Sequence, residues 1–176
     1  LELDLDRWLP LLTGGGGSGG AGAGPGPTLF DLGLGSLNVF GKRLNRVVLR
    51  GTADASGWGT SLAAQEMTGQ LTYRNEGRGR LSGRFADFSI PAEYPGAPKA
   101  DAAKDLPALD LIAESFTFRG KNVGRVEIAA QHEGGNWRID KLLNVTPDST
   151  LTGKGVWRTG GESRTSMEVE VEVNDL

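Results

Sequence analysis

Ser36-Leu-Asn-Val-Phe-Gly-Lys-Arg-Leu-Asn-Arg-Val-Val-Leu49 decides the fold, because the chain carries a second version of it. That version reads Ser115-Phe-Thr-Phe-Arg-Gly-Lys-Asn-Val-Gly-Arg-Val-Glu-Ile128. A shift of 79 (115 − 36) lays Ser36 on Ser115, Gly41 on Gly120, Lys42 on Lys121, Arg46 on Arg125 and Val47 on Val126 without a gap. The same shift lays Trp58 on Trp137. Each copy alternates apolar and polar residues, breaks at Gly-Lys, then alternates again, which is the pattern of a β-hairpin. Self-similarity at a fixed spacing marks a repeat architecture.

Outward from the first copy, Phe30, Leu32 and Leu34 alternate up to Gly35, where the parity switches; a β-bulge there accounts for the switch. Beyond Trp58, the segments Thr60–Gln65, Thr68–Arg74 and Arg80–Ile90 read as strands, with Asn75-Glu-Gly77 as a tight turn. Outward from the second copy, the strands are Leu109–Phe118, Val123–Glu133, Trp137–Leu143, Thr150–Arg158 and Arg164–Val173. Past the tryptophans the two copies still correspond at a shift of 84, with Met67, Gly69, Tyr73 and Arg74 meeting Leu151, Gly153, Trp157 and Arg158. Five residues (84 − 79) are therefore inserted in the second copy.

The expected fold is all-β and antiparallel: two tandem repeats of about five strands in a curved, groove-like sheet, with one short helix near the N-terminus. Residues 28–90 form β-repeat 1 and residues 108–176 form β-repeat 2. Residues 1–12 hold the closing strand of a preceding repeat, since Glu2-Leu-Asp-Leu-Asp6 resembles Glu170-Val-Glu-Val-Asn174. The short helix follows, capped by Asp6, with Pro10 in its first turn. Residues 13–27 are a Gly-rich flexible linker whose ends average roughly 20 Å apart. Residues 91–107 hold four of the eight prolines and read as a long loop.

Composition narrows the function. A net charge of −3 lacks the dense basic face that a nucleic-acid backbone needs, so no nucleic-acid partner is expected. With no cysteine there is no disulfide scaffold, thiol catalysis or Cys-ligated metal. One histidine, His132, removes multi-His metal sites and most triads. His132 lies beside a Gly-Gly turn, where the expected environment is exposed. Ser163 and Ser166 have no base placed beside them, and no carboxylate pair stands out. The expectation is no enzyme, no cofactor and no metal. Glycine supplies 28 of the 176 residues, over twice the usual ~7%.

What remains is a long apolar face. The repeats either close on it as a β-sandwich or leave it as an open trough, which is costly in water unless it binds something. An acyl chain is its natural filling, at ~0.8 kcal/mol per buried CH₂. Under both alternatives a charge at Val171 is damaging.

Ser-Phe-Thr-Phe-Arg-Gly-Lys, Gly-Gly-Asn-Trp-Arg-Ile (134–139), the run from Pro147 to Arg158, and the Glu-Val-Glu-Val-Asn-Asp-Leu ending together resemble the AsmA-like region of YhdP-type proteins. So does the opening Asp-Leu-Asp-Arg-Trp-Leu-Pro-Leu-Leu. The resemblance spans the chain apart from the glycine linker and the proline-rich loop. It implies an internal fragment of a long Gram-negative envelope protein, anchored in the inner membrane by a helix outside this fragment, with β-groove repeats crossing the periplasm. The implied role is passage of phospholipid between the inner and outer membranes, in support of the outer-membrane permeability barrier. The implied partners are phospholipid acyl chains and adjoining repeats of the same chain. The groove candidates are Leu37, Val39, Val47, Leu49, Phe116, Phe118, Val126, Ile128, Met167, Val169, Val171 and Val173. The alternative is a closed β-sandwich that serves as a structural or protein-interaction module.

Overall fold

The computed structural model describes residues 2–4, 27–39, 42–90, 107–134, 136–158 and 164–173. Among the described residues there are twelve strands: β1 (Glu2–Asp4), β2 (Thr28–Val39), β3 (Lys42–Asp54), β4 (Gly57–Ala63), β5 (Met67–Arg74), β6 (Arg80–Ile90), β7 (Ala108–Phe118), β8 (Lys121–Asn122), β9 (Arg125–Glu133), β10 (Asn136–Val145), β11 (Ser149–Arg158) and β12 (Arg164–Val173). They form one open, curved sheet. Eleven strands follow each other in chain order from β1 to β12, and β8 pairs only with β7. Strand formation follows the alternation, which is unbroken in β12, while in β6 it switches parity at the bulged Ala86. The short helix expected after Asp6, the linker at 13–27 and most of the loop at 91–107 lie outside the described residues.

The two repeats are β2–β6 and β7–β12. Each is antiparallel internally, but the junction between them is not. β6 and β7 run parallel, from Arg80 beside Ala108 to Ile90 beside Phe118. β1 also runs parallel to β2. The fully antiparallel expectation is thus corrected at these two joins. Parallel neighbours need a crossover of a dozen or more residues, which the long connection at 91–107 supplies.

Local details differ from expectation in three places. β2 and β3 keep one register from Thr28–Ala53 to Val39–Lys42, so no extra residue is inserted at Gly35. The parity switch is taken by both strands together, between the Leu34–Val47 and Ser36–Asn45 pairs, where Arg46 adopts a φ of 51°. The Asn75 turn extends to Gly79, whose N–H donates to the Glu76 carbonyl at 2.8 Å, with Gly77 and Gly79 at positive φ. The insertion in repeat 2 has two parts. One residue is the bulge at Asp140. The other four add two residue pairs to the β10–β11 hairpin, which continues past Leu142–Gly153 to Val145–Thr150, whereas its counterpart continues past Leu62–Gly69 by one pair and repeat 2 by three. Both hairpins close with the same turn, Ala64 N–H to Met67 C=O and Thr146 N–H to Ser149 C=O, each at 2.9 Å.

The curvature gathers Leu34, Leu37, Leu44 and Val47 of β2–β3 into one buried cluster with Leu62, Met67, Phe85 and Ala113. Burial therefore concentrates at the repeat 1 end of the sheet.

Candidate functional site

Strand pairing fixes which side chains share a face, because partners directly opposite each other project to the same side. Phe30, Gly51, Thr60, Leu71, Gly83, Leu111, Ile128, Leu142, Gly153 and Val169 stand side by side, one from each of ten strands. The next row runs from Leu32 through Leu49, Leu62, Phe85 and Val126 to Val171. A third apolar patch is aromatic: Phe85, Phe88, Phe116 and Phe118 form a ladder with successive ring centroids 5.3, 5.4 and 6.5 Å apart. One face of the sheet is apolar from β2 to β12.

Glycines within these rows make room for their large neighbours. A Cβ at Gly69 would stand 2.8 Å from the Phe85 ring, and one at Gly83 would stand 2.7 Å from the other side of that ring. Phe85 therefore lies across two glycines, which keeps the face smooth where bulkier residues would heap up. Polar groups on this face are satisfied by backbone. The Thr60 hydroxyl donates to the carbonyls of Arg50 and Ser61, and the Asn144 amide donates to those of Val123 and Arg125. The Trp137 indole N–H is an exception, being buried without a partner.

The opposite face is charged. Arg84 meets Asp110 at 3.2 Å, Lys141 and Arg125 both meet Glu127 at 2.6 Å, and Arg138 meets Glu133 and Asp140 at 2.6 Å. The hydrogen bond from Lys141 holds the Glu127 carboxyl below its ordinary value, against the opposing effect of burial. Such surface pairs each contribute at most about 1 kcal/mol. Their effect here is to fix which face meets water.

The sequence-derived groove residues with described side chains share the apolar face but differ in access. Leu37 and Val47 are buried in the repeat 1 cluster, while Leu49, Phe116, Val126 and Ile128 are half-buried. Phe118 and the β12 residues are open: Met167 is 42% exposed, Val169 49%, Val171 56% and Val173 72%. Val39 lies on β2, and its side chain is outside the described residues. A hollow of about 830 Å³ over β10–β12 is lined mostly from the charged face, by Lys141, Leu143, Thr152, Lys154, Glu168 and Glu170, and does not mark a pocket in the apolar face. The matched hairpins alone did not reveal Leu62, Leu71, Phe85, Leu111 or Leu142 as part of the face. Strict alternation along each remaining strand would have found them.

His132 departs from its expected exposure. It is half-buried on the apolar face, opposite Trp137, with ring centroids 6.5 Å apart, and its Nδ1 lies 3.4 Å from an Arg78 nitrogen. Among the described residues, no group of three or more His, Cys, Asp or Glu is placed to hold a metal ion. No helix among them is long and apolar enough to cross a membrane.

No curated protein and no solved structure matches the chain. The family comparison does: residues 2–176 match the YhdP protein family. That family points to lipid transport in the cell envelope, and an open sheet with one apolar face is compatible with a groove. With nearly its whole length matched, the chain belongs to the YhdP family.

Proposed function

We propose that the chain is a non-enzymatic segment that binds phospholipid acyl chains along its apolar face and helps pass phospholipid between the inner and outer membranes. It does so in the periplasmic part of a protein anchored in the inner membrane by a helix outside residues 1–176, and it supports the outer-membrane permeability barrier. The observation that carries this reading is the row of apolar residues and glycines, interrupted only by the backbone-bonded Thr60, that crosses ten strands and ends in the exposed side chains of β12. At about 4.8 Å per strand, nine steps span roughly 43 Å. One leaflet's hydrocarbon is about 15 Å deep, half of the ~30 Å bilayer core. A bound acyl chain therefore has neighbouring positions of similar character into which it can shift. That suits a conduit better than a single pocket.

A second reading is favoured for repeat 1 alone, where Leu34, Leu37, Leu44 and Val47 are packed as tightly as a dry core. There the sheet acts as a structural module, and the lipid-accessible part begins toward repeat 2.

Incubation with vesicles containing a fluorescent phospholipid, followed by removal of the vesicles by flotation, tests the proposal. Labelled lipid is expected to stay with the chain and not with a folded Val169→Asp/Val171→Asp variant. Equal retention by both, or by neither, contradicts it.

A further inference from the structure

The join between the two repeats leaves a notch at one end of the sheet. The Ala108 N–H, at the start of β7, donates to the Gly79 carbonyl at 2.9 Å. β9 pairs with β7 from Ala113–Val126 to Leu109–Ala130 and then runs on to Glu133, past the start of β7. The turn before β6 and the end of β9 therefore flank a hollow of about 440 Å³, whose lining includes Glu76, Arg78, Arg80, Gln131 and His132. Arg78 comes from repeat 1 and His132 from repeat 2, and Arg78 Nη1 lies 3.4 Å from His132 Nδ1.

The charge in this notch is not neutralised within the sheet. Arg50, Arg84, Arg125, Arg138 and Lys141 each meet a carboxylate. Among the described residues, neither Arg78 nor Arg80 does. The lining sets these two guanidinium groups against one carboxylate, Glu76. A guanidinium is weakly hydrated and presents a fork of donors that matches phosphate oxygens.

The apolar face leads into the notch. Trp58, Tyr73, Leu81, Leu109 and Ala130 form one row of that face. His132, Trp137 and Trp157 form the next row outward. The described Trp and Tyr residues thus all stand at the notch end, whereas Phe88, Phe116 and Phe118 stand toward the other end of the strands. Indole and phenol rings suit a boundary where an apolar body meets a wet tip; a phenyl ring has no polar tip. From Leu109 to Phe116 is seven residues (116 − 109) of β7, or roughly 23 Å. That exceeds the ~15 Å depth of one leaflet's hydrocarbon. An acyl chain lying along the strands has room for its tail and a distinct polar end.

We propose that the notch receives the phosphate group of a lipid headgroup, with Arg78 and Arg80 as its charge partners. The acyl chains then run from the Trp and Tyr end of the face toward the phenylalanines. This rests on acyl chains occupying the apolar face, and it adds a headgroup requirement and a direction.

Two probes with identical labelled acyl chains test it: phosphatidylglycerol, and diacylglycerol, which lacks the phosphate. Each is offered to the chain in vesicles that are then removed by flotation. Phosphatidylglycerol is expected to be retained at least about tenfold better. Arg78→Gln/Arg80→Gln, at two exposed positions, is expected to remove that preference and to leave diacylglycerol retention unchanged. Arg46→Gln/Arg119→Gln removes the same charge at exposed positions toward the phenylalanine end and is expected to keep the preference. Equal retention of both lipids by the unsubstituted chain would overturn the headgroup site and leave lipid on the apolar face. Retention of neither would overturn both. A preference lost equally in the two double variants, or only in the second, would overturn the assignment to this end. Excess inorganic phosphate is expected to leave the preference intact; its abolition would make the notch a site for free phosphate and overturn the lipid assignment.

Discussion

Placing a carboxylate at Val171 and, separately, at Val47 distinguishes an open apolar face from a closed one. Val171 is 56% exposed and Val47 is 1% exposed. Full burial of a valine contributes ~1.5 kcal/mol, so less than half of that, roughly 0.7 kcal/mol, is at stake at Val171. The lower strand preference of aspartate adds up to about 1 kcal/mol. Val171→Asp is therefore expected to cost about 2 kcal/mol. At Val47 the whole apolar contribution is lost and a carboxylate enters an apolar cluster, a penalty of several kcal/mol more. The sum approaches the entire 5–15 kcal/mol stability of an ordinary domain. Urea unfolding followed by tryptophan fluorescence reads both variants. With a slope of about 1–3 kcal/mol per molar, Val171→Asp is expected to lower the midpoint by about 0.7–2 M and keep a folded baseline. Val47→Asp is expected to leave little or no folded baseline. A Val171→Asp loss as large as that of Val47→Asp would refute the reasoning, because it would mean that the β12 face is covered in the free chain. From sequence alone a charge at Val171 looks damaging under either architecture; its exposure in the structure is what turns stability into a discriminating experiment.

Three further outcomes are expected. Gly69→Ala places a Cβ 2.3 Å from the Arg84 carbonyl oxygen and 2.8 Å from the Phe85 Cα, so thermal unfolding should show a loss of about 1–3 kcal/mol. Gly33→Ala meets nothing within 4 Å and should change stability by no more than about 0.5 kcal/mol. Glu127 has a lowered folded-state pKa, caused first by its hydrogen bond from Lys141, so the unfolded chain takes up its proton first on acidification. Its contribution is present above the ordinary glutamate value of 4.5 and is lost as pH falls below it toward the folded-state value. Denaturant titrations across that window should show a shallower acid-side decline for Glu127→Gln than for the unsubstituted chain.

Much of this fold is legible in the amino acids. The alternation of Arg80–Ile90 and Arg164–Val173 gives both strands their observed bounds, and the repeated hairpin gives the two-unit organisation. Direction of pairing is not legible, because alternation is the same in parallel and antiparallel strands; only the paired registers reveal the parallel β6–β7 join. The split of the insertion between Asp140 and a longer β10–β11 hairpin is equally silent in a gap of five. Alternation also says which face a residue shares but not how far the sheet curves. Leu37 and Val169 therefore look alike in sequence, yet one is sealed in a cluster and the other stands half open. The position of His132 is not legible for a related reason: a polar residue beside a turn is ordinarily outside, but its pairing with Trp137 fixes it on the apolar face.

The most direct test of the lipid groove is photo-crosslinking in cells, with a photoreactive side chain placed at Val169 or at Glu170 in the full-length protein. These neighbours project to opposite faces of β12, at nearly the same position along the sheet. Phospholipid adducts at Val169 and none at Glu170 are the result expected. Adducts at neither position, or equally at both, would contradict the claim that the apolar face carries lipid.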